Sequence, residues 1–245
     1  MNRKCVLVTG STGLGEEIIR KYAGNNYDVV ITYKSHKDEA FKLKEEVTTK
    51  YNINAIVVKC DISSEKDIDN LKSEVLNTFG KLDVLVNNAS IAIDTLIEDK
   101  TKDNFMKILE VNLVGTFLVS RTFGDIMKSQ KYGNIINISS TNGLDTYYEY
   151  SLDYDASKAG VINLSHNLAC YYSPYVRVNT ICPGWIDTPM NKDMDIKFKK
   201  DEEEKILLNR FASPSEIANL VYFISSDEAS YINDSVIRID GGRVC

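Results

Sequence analysis

Tyr154 and Lys158 stand four residues apart at the start of a segment with helical apolar spacing, so their side chains project from one face. Free tyrosine titrates near ~10, and a neighbouring positive charge favours the phenolate and lowers that pKa. A serine hydroxyl from the end of the preceding apolar strand, predicted at residues 135–138, would complete a site that holds and protonates a carbonyl oxygen. This is hydride-transfer chemistry, provided that a hydride donor binds opposite.

The same Tyr-x-x-x-Lys spacing occurs at Tyr33 and Lys37, and so loose a pattern often marks an ordinary solvated helix face. The two matches therefore have to be separated by the elements around them. Tyr154 and Lys158 follow a strand, a pair of serines and a glycine-containing loop, which is the better setting for chemistry.

The chain of 245 residues is 43% hydrophobic and 26% charged, which is ordinary for a globular protein with a substantial core. Its net charge of -6, without a basic block, argues against a nucleic-acid or anionic-membrane partner. No apolar run approaches the ~18 residues of a membrane span, and we expect no signal peptide. These features predict a cytoplasmic location.

The cysteines, 5 in all, are odd in number, scattered and free of Cys-x-x-Cys pairs. In a chain of this size that pattern indicates reduced thiols, and it predicts neither a disulfide framework nor a metal site. His36 and His166 have no carboxylate motif nearby, so neither is a predicted catalyst.

Apolar runs of strand length alternate with longer amphipathic segments along the chain. Several runs are almost continuously hydrophobic, as expected of strands covered by helices on both faces. We therefore predict one α/β domain over residues 1–245, doubly wound around a mainly parallel seven-stranded sheet. The predicted strands are 4–8, 28–33, 55–58, 82–86, 135–138, 176–181 and 236–239. The predicted helices are 14–25, 38–51, 64–79, 102–129, 154–172 and 214–225.

A glycine-rich loop joins the first predicted strand to the first helix. Glycines let the backbone approach a ligand closely, and the helix N-terminus offers free N–H groups to a pyrophosphate. No Gly-Lys-Ser/Thr follows, so the loop is not a P-loop. A glycine-rich turn without a ligand is the alternative, but the position after a first strand favours a dinucleotide and a Rossmann fold. The loop residues are Gly10, Ser11, Thr12, Gly13, Leu14 and Gly15.

Cofactor selectivity is expected at the end of the second strand, at Tyr33, Lys34 and Ser35. A carboxylate there would bind the ribose of NAD and repel a 2′-phosphate. Lys34 and Lys37 stand in this region instead, with no acid between them. This favours NADP(H) over NAD(H), unless both lysines are ordinary solvated charges.

These motifs, in this order, resemble the short-chain dehydrogenase/reductase family, and the resemblance covers essentially the whole chain. The pattern is nearest to the bacterial 3-oxoacyl-(acyl-carrier-protein) reductases and to sugar and alcohol reductases built like them. The resemblance implies hydride transfer between a nicotinamide and a carbonyl or secondary alcohol. The further segments that carry it are Asp61, residues 87–90, residues 179–188, residues 210–218 and residues 239–242.

The resemblance also implies a catalytic set of Asn112, Ser140, Tyr154 and Lys158. Ser140 would bind the substrate oxygen, and Tyr154 would exchange the proton. Lys158 would lower the Tyr154 pKa and hold the nicotinamide ribose, while Asn112 would position a water that links Lys158 to solvent. Ser140 could instead be a strand-end turn serine, and Asn112 a helix residue satisfied by backbone.

The implied cofactor contacts combine the glycine loop, residues 33–35 and the catalytic Tyr154 and Lys158 with positions after the later strands. Those positions are Asp61, Ile62, Asn88, Ala89, Ser90, Val111, Pro183, Gly184, Ile186 and Thr188.

Three departures from the family pattern bear on function. Two residues rather than three separate the first two loop glycines, so the turn must be tighter. Ser90 replaces a usual glycine. Residues 168–172 lack the basic residue that carrier-protein reductases often show, which leaves Lys128 and Lys131 as candidate carrier contacts.

Residues 187–208 are the expected substrate lid, and the charge run at 197–205 indicates mobility and a wet outer face. The loop before Tyr154 carries three more tyrosines, which could line a pocket or face solvent. Trp185 could form one side of the nicotinamide site or simply pack in the protein interior. The three tyrosines are Tyr147, Tyr148 and Tyr150.

The predicted partners are a small-molecule or acyl-thioester substrate and further copies of the chain, as a homotetramer or homodimer. A sugar or small-alcohol dehydrogenase of the same family is the alternative enzyme. The competing class is a non-catalytic dinucleotide sensor, which should have lost a member of the Ser/Tyr/Lys set.

Overall fold

The structure, a computed structural model, describes residues 3–146, 148–188 and 194–242. Its strands are short, and those in the middle of the sheet are buried on both faces. The strands described are β1 (Cys5–Val8), β2 (Asp28–Tyr33), β3 (Ala55–Lys59), β4 (Val84–Asn87), β5 (Gly133–Ile138), β6 (Val176–Pro183) and β7 (Val236–Ile239).

The helices described are α1 (Leu14–Gly24), α2 (Lys37–Tyr51), α3 (Glu65–Phe79), α4 (Lys102–Leu109), α5 (Thr116–Gln130), α6 (Leu152–Tyr172), α7 (Ile196–Glu204) and α8 (Pro214–Ser225). The apolar faces of α1, α2 and α8 pack on one side of the sheet, and those of α3, α5 and α6 pack on the other. Within the described residues, none of these helices is long and apolar enough to cross a membrane.

The sheet has the strand order β3-β2-β1-β4-β5-β6-β7, and every neighbouring pair is parallel. The predicted doubly wound Rossmann fold is therefore confirmed. The order reverses between β1 and β4, and ligands bind in the crevice at the carboxyl ends of strands at such a point.

Thr9 joins the two loops that flank this crevice. Its N–H donates to the Val86 carbonyl oxygen at 3.0 Å. Its hydroxyl accepts the N–H groups of Asn88 at 2.9 Å and Ala89 at 3.0 Å. The loop after β1 and the turn after β4 are thus held together where the sheet order reverses.

One predicted helix, residues 102–129, is interrupted in the structure. α4 ends at Leu109, α5 begins at Thr116, and residues Glu110–Gly115 form a wider π-helical segment. Gly115 lies against Ile62, where an added Cβ would come within 2.9 Å of Cγ1. The apolar spacing runs on through this segment, so the sequence pattern did not reveal it.

The charge run predicted to be mobile contains helix α7. Asp195 caps the helix by accepting the Phe198 N–H at 2.9 Å. Glu202 lies within the helix and is 5% exposed, so one side of this charged segment is buried. The wet outer face is present, but the segment also has a packed inner face.

Candidate active site

Tyr154 and Lys158 lie in the first turns of α6, beside the carboxyl end of β5. Lys158 is 3% exposed, and its ammonium donates to the Ile138 carbonyl oxygen at 2.9 Å. The same ammonium lies over the Tyr154 ring, 5.3 Å from its centroid. The strand end and the helix start therefore bring the two predicted residues together.

The two serines at the end of β5 have different partners. The Ser139 hydroxyl donates to the Lys158 main-chain oxygen at 2.8 Å and is buried. The Ser140 hydroxyl lies close enough to the Tyr154 phenol to lower its pKa, and it donates to Asn142 Oδ1 at 3.4 Å and accepts the Asn142 N–H at 3.1 Å. Ser140 is thus the serine that faces the phenol, while Ser139 ties α6 to the strand.

Burial dominates the proton affinities of both groups. It raises the pKa of Tyr154 to about 12, against the opposing hydrogen bond from Ser140. It also lowers the pKa of Lys158 to about 8. The predicted lowering of the Tyr154 pKa by Lys158 is therefore not seen, because loss of solvent raises this pKa by more than the Ser140 hydroxyl lowers it.

Asn112 lies in the π-helical segment, and its amide is fully engaged. Its Oδ1 accepts the Ile91 N–H at 2.8 Å, and its Nδ2 donates to the Ile91 carbonyl oxygen at 2.9 Å and the Ser157 hydroxyl at 3.0 Å. This arrangement matches the alternative of a helix residue satisfied by backbone. Its water-positioning role stays a prediction.

The loop after β1 has the backbone that glycines allow. Gly10 has φ +82 and Gly13 has φ +58, and an added Cβ on Gly15 would lie 2.1 Å from the Gly10 carbonyl oxygen. The shortened loop still delivers the chain into α1 at Leu14. Within the described residues, the buried Ser11 hydroxyl has no hydrogen-bond partner. An orphaned donor beside free helix N–H groups fits a nucleotide phosphate.

Lys34, predicted to select a 2′-phosphate, pairs with the predicted adenine contact Asp61. Lys34 Nζ lies 2.5 Å from Asp61 Oδ2, and the Lys34 side chain is 63% exposed. Burial alone would raise the pKa of Asp61, but the bonds from Lys34 and Ser63 hold it below its usual range. Sequence reasoning placed both residues at the cofactor and missed their ion pair.

The other predicted cofactor residues fall into two groups. Asn88, Ala89 and Ser90 follow β4 at the crevice, and Gly184 lies where a Cβ would come within 2.8 Å of Asp240 Cβ. The rest lie on the same edge of the sheet or in the core beside it. Ile62 is buried under Gly115, and Val111 packs, partly buried, against the same core. Pro183 ends β6. Ile186 forms an isolated β-bridge with Ala212, and its carbonyl oxygen accepts the Thr188 N–H.

The second Tyr-x-x-x-Lys match has no such setting. Tyr33 ends β2 and packs its ring against Phe41, with the centroids 6.4 Å apart. Lys37 begins α2 and lies over the same Phe41 ring. Tyr33 and Lys37 therefore both contact the Phe41 ring.

Aromatic side chains gather around Trp185 and form a cluster, the aromatic wall. The Trp185 ring stacks on Phe211 at 5.4 Å and meets Phe198 at 6.2 Å and Tyr148 at 6.3 Å. Trp185 Nε1 donates to Glu202 Oε2 at 2.8 Å. The tryptophan thus packs against its neighbours, its place beside the nicotinamide stays a prediction, and Tyr147 lies outside the described residues.

Sequence reasoning missed the partners of that wall. Phe198 and Glu202 stand inside the charge run, and Phe211 stands in a loop. The sequence offered one signal, which is an aromatic residue, Phe198, within a run of charged residues. That signal does not reveal that Phe198 contacts Trp185.

No cluster of three or more potential metal ligands occurs in the part of the chain that the structure describes. His166 Nδ1 lies 2.7 Å from Asp234 Oδ2, and His36 lies beside Ser35. In the described part of the chain, neither histidine forms a hydrogen bond with Ser140, Tyr154 or Lys158.

Known proteins match this chain along nearly its whole length. The family model described as Enoyl-(Acyl carrier protein) reductase matches residues 8–243. The chain is 39% identical over 241 residues to the 3-oxoacyl-(acyl-carrier-protein) reductase FabG of Aquifex aeolicus, covering 98% of this chain and 96% of that protein. It is 32% identical over 243 residues to the NADP-dependent mannitol dehydrogenase of Alternaria alternata, covering 98% and 91%. The crystal structure of the 3-oxoacyl-(acyl-carrier protein) reductase from Brucella melitensis matches with TM-score 0.91 and 26% identity, covering 99% of this chain and 92% of that one.

Proposed function

Because the chain belongs to the short-chain dehydrogenase/reductase family and is an oxidoreductase of carbonyl or secondary-alcohol substrates, we propose that it reduces 3-oxoacyl thioesters with NADPH. The observation that carries the proposal is the convergence of Ser140, Tyr154 and Lys158 at the carboxyl edge of the sheet. The Ser140 hydroxyl, which lowers the Tyr154 pKa, and the Lys158 ammonium, which lies over the Tyr154 ring, support a single reaction centre.

The nicotinamide dinucleotide, when bound, supplies or accepts the hydride. The glycine loop at residues 10–15 would hold its phosphates, with the Ser11 hydroxyl as a donor. Ser140 would bind the substrate oxygen by hydrogen bonding, and Tyr154 would give it a proton. Since burial raises the pKa of Tyr154 to about 12, the phenol is protonated at neutral pH and ready to act as an acid.

Lys158 would stabilise the phenolate that remains after proton transfer. Its pKa of about 8 leaves most of the ammonium charged at neutral pH. Moving a charge onto a buried phenol is costly unless a cation is close. The ammonium over the Tyr154 ring meets that need.

NADPH is the preferred donor in this proposal. Lys34 lies at the end of β2, is exposed and pairs with the Asp61 carboxylate. To bind a 2′-phosphate, the Lys34 ammonium would leave Asp61 and turn to the phosphate. No acid stands at residues 33–37 to grip a ribose instead. The Alternaria alternata relative is named as NADP-dependent, which supports the same choice.

A 3-oxoacyl thioester is favoured as the substrate by the relative of higher identity, which is named for that activity. The aromatic wall of Tyr148, Trp185 and Phe198 would pack on an acyl chain. A sugar or small-alcohol dehydrogenase is the second candidate, since a mannitol dehydrogenase also aligns along the chain. A dinucleotide sensor is the weakest, because it has no use for the complete Ser/Tyr/Lys set.

We also propose a single catalytic domain over residues 1–245 with a substrate lid at 187–208, working in the cytoplasm as a homotetramer or homodimer. Helix α7 lies in the lid, and its buried Glu202 holds Trp185.

A substrate screen with both nucleotides tests the proposal. Loss of NADPH absorbance is followed with acetoacetyl thioesters, sugar ketones and simple diketones. The proposal expects kcat/KM for the thioester with NADPH to exceed every other combination. Preferential turnover of sugar ketones would favour the second candidate, and nucleotide binding without turnover would favour the sensor.

A further inference from the structure

Lys100 and Asp153 form an ion pair in the interior, beside the reaction centre. Lys100 Nζ lies 2.8 Å from Asp153 Oδ1, and the two side chains are 5% and 0% exposed. Burying such a pair gives little net stability, because removing both charges from water offsets their attraction. The position of this ion pair next to Tyr154 indicates a role other than stability.

The Lys100 ammonium gathers the loop that follows β4. It donates to the Ile93 carbonyl oxygen at 3.1 Å and the Thr95 hydroxyl at 3.0 Å, besides the Asp153 carboxylate. These three acceptors match the three protons of an ammonium group. The Thr95 N–H in turn donates to the Tyr150 carbonyl oxygen at 3.1 Å, which joins this loop to the one before α6.

Asp153 carries the connection to the catalytic tyrosine. Its Oδ1 accepts the Tyr154 main-chain N–H at 2.9 Å, so the oxygen paired with Lys100 also binds the backbone of Tyr154. On the other side of Tyr154, Asp155 Oδ1 accepts the Asn142 Nδ2 and Ser151 hydroxyl donors, each at 2.7 Å. Tyr154 therefore stands between two carboxylates that are anchored to different loops.

We propose that Lys100 and Asp153 are positioning residues for the reaction, which fix the first turn of α6 against the loop after β4 so that the Tyr154 hydroxyl meets Ser140 and the substrate. This inference rests on the proposed catalytic role of Tyr154. Small displacements of a catalytic group cost rate because the reacting atoms must be aligned. The pair acts through Tyr154 and makes no contact with the reacting atoms itself.

The test uses Lys100→Met, Asp153→Asn and the double variant in the full-length protein. Lys100→Met leaves a buried carboxylate without its cation, so its thermal midpoint should fall by about 10 °C. The double variant removes both charges and should regain most of that loss. It does not regain the bonds to Ile93 and Thr95, so kcat should stay about 10-fold or more below wild type at a temperature where it is folded.

The matched control is Lys81→Met. Lys81 pairs with Asp83 at 2.9 Å, before β4 at the opposite edge of the sheet. This variant should keep kcat and the KM for NADPH, even if its thermal midpoint falls. A double variant of Lys100 and Asp153 with wild-type kcat would overturn the inference, because the pair would then serve stability alone.

The kcat of Asp153→Asn and hydrogen exchange of the two joined segments provide two further tests. If Lys100→Met does not fold, Asp153→Asn alone should lower kcat about 10-fold with an unchanged KM for NADPH, and an unchanged kcat would overturn the inference. Hydrogen exchange of residues 91–100 and 152–158 should quicken in the double variant but not in Lys81→Met. Unchanged exchange would overturn the inference even without turnover, whereas an inactive wild type, or a fully active Tyr154→Phe, would refute the proposed function itself.

Discussion

The Lys158 ammonium lies over the face of the Tyr154 ring, 5.3 Å from its centroid, and donates to the Ile138 carbonyl oxygen. Because burial affects both groups, the pKa of Tyr154 rises to about 12 and that of Lys158 falls to about 8. Near neutral pH the pair is therefore a neutral phenol beside a cation, which is the arrangement that a proton donor to a carbonyl requires.

This arrangement predicts opposite pH dependences for the two directions of reaction. Ketone reduction should be flat below pH 8 and should fall as pH rises through about 8, where Lys158 loses its charge. Alcohol oxidation needs the phenolate, so it should rise with pH towards the Tyr154 pKa of about 12. The measurement is kcat in both directions between about pH 6 and pH 10. A reduction rate that climbs with pH would contradict this account.

The same lowered pKa predicts a change in stability with pH. Between about 8 and 10.5 the unfolded chain holds the Lys158 proton and the folded chain does not, so the Lys158 contribution to the free energy of unfolding rises with pH there. Denaturant unfolding of wild type and Lys158→Met across that range measures it. Wild type should gain stability relative to Lys158→Met as pH rises through this range, and parallel curves would show that Lys158 does not titrate in it.

The two serines at the end of β5 should separate stability from catalysis. Ser140→Ala should lower kcat about 10²-fold, since the alanine cannot hold the substrate oxygen. Ser139→Ala is the matched control: it loses the bond to the Lys158 carbonyl oxygen, costs about 1 kcal/mol of stability, and keeps most of kcat. Equal losses of kcat in both variants would mean that Ser140 has no special role.

Lys34→Ala tests the proposed nucleotide preference. Loss of a charged bond to a 2′-phosphate should raise the KM for NADPH about 10-fold or more and leave the KM for NADH nearly unchanged. Lys42→Ala, at an exposed position on α2, is the control and should change neither constant. Equal increases for both nucleotides would show that Lys34 does not read the phosphate.

Trp185 offers a direct probe of the aromatic wall, because it is the single tryptophan in the sequence and its fluorescence can be followed alone. Glu202→Ala removes the acceptor of the indole N–H, so emission should shift to the red and the substrate KM should rise several-fold. Glu202→Gln keeps an acceptor at 2.8 Å and should preserve the wild-type emission. Identical emission from both variants would show that Glu202 does not hold the ring.

Local sequence patterns were sufficient for the parts of this molecule that depend on local chemistry. Continuous apolar runs predict the parallel sheet, because strands covered on both faces need no polar side. The glycine loop is equally readable, since Gly10 and Gly15 occupy positions that a Cβ would disrupt. The choice of Tyr154 over Tyr33 also followed from neighbouring residues.

Ion pairs between residues in distant loops could not be predicted from local sequence patterns. Lys34 with Asp61 and Lys100 with Asp153 each join segments that come together only when the sheet forms. Burial is a tertiary property as well, so the direction of the Tyr154 pKa shift required the folded environment. The π-helical segment was hidden because its apolar spacing continues that of its neighbours.

The central claim is that Tyr154 is the proton donor of a hydride-transfer reaction, and Tyr154→Phe tests it most directly. The phenylalanine keeps the ring under the Lys158 ammonium and removes only the hydroxyl. Acetoacetyl thioester reduction, followed by NADPH absorbance, should fall by about 10²–10⁴-fold, while NADPH binds with the wild-type dissociation constant. Full reductase activity in Tyr154→Phe would contradict the account.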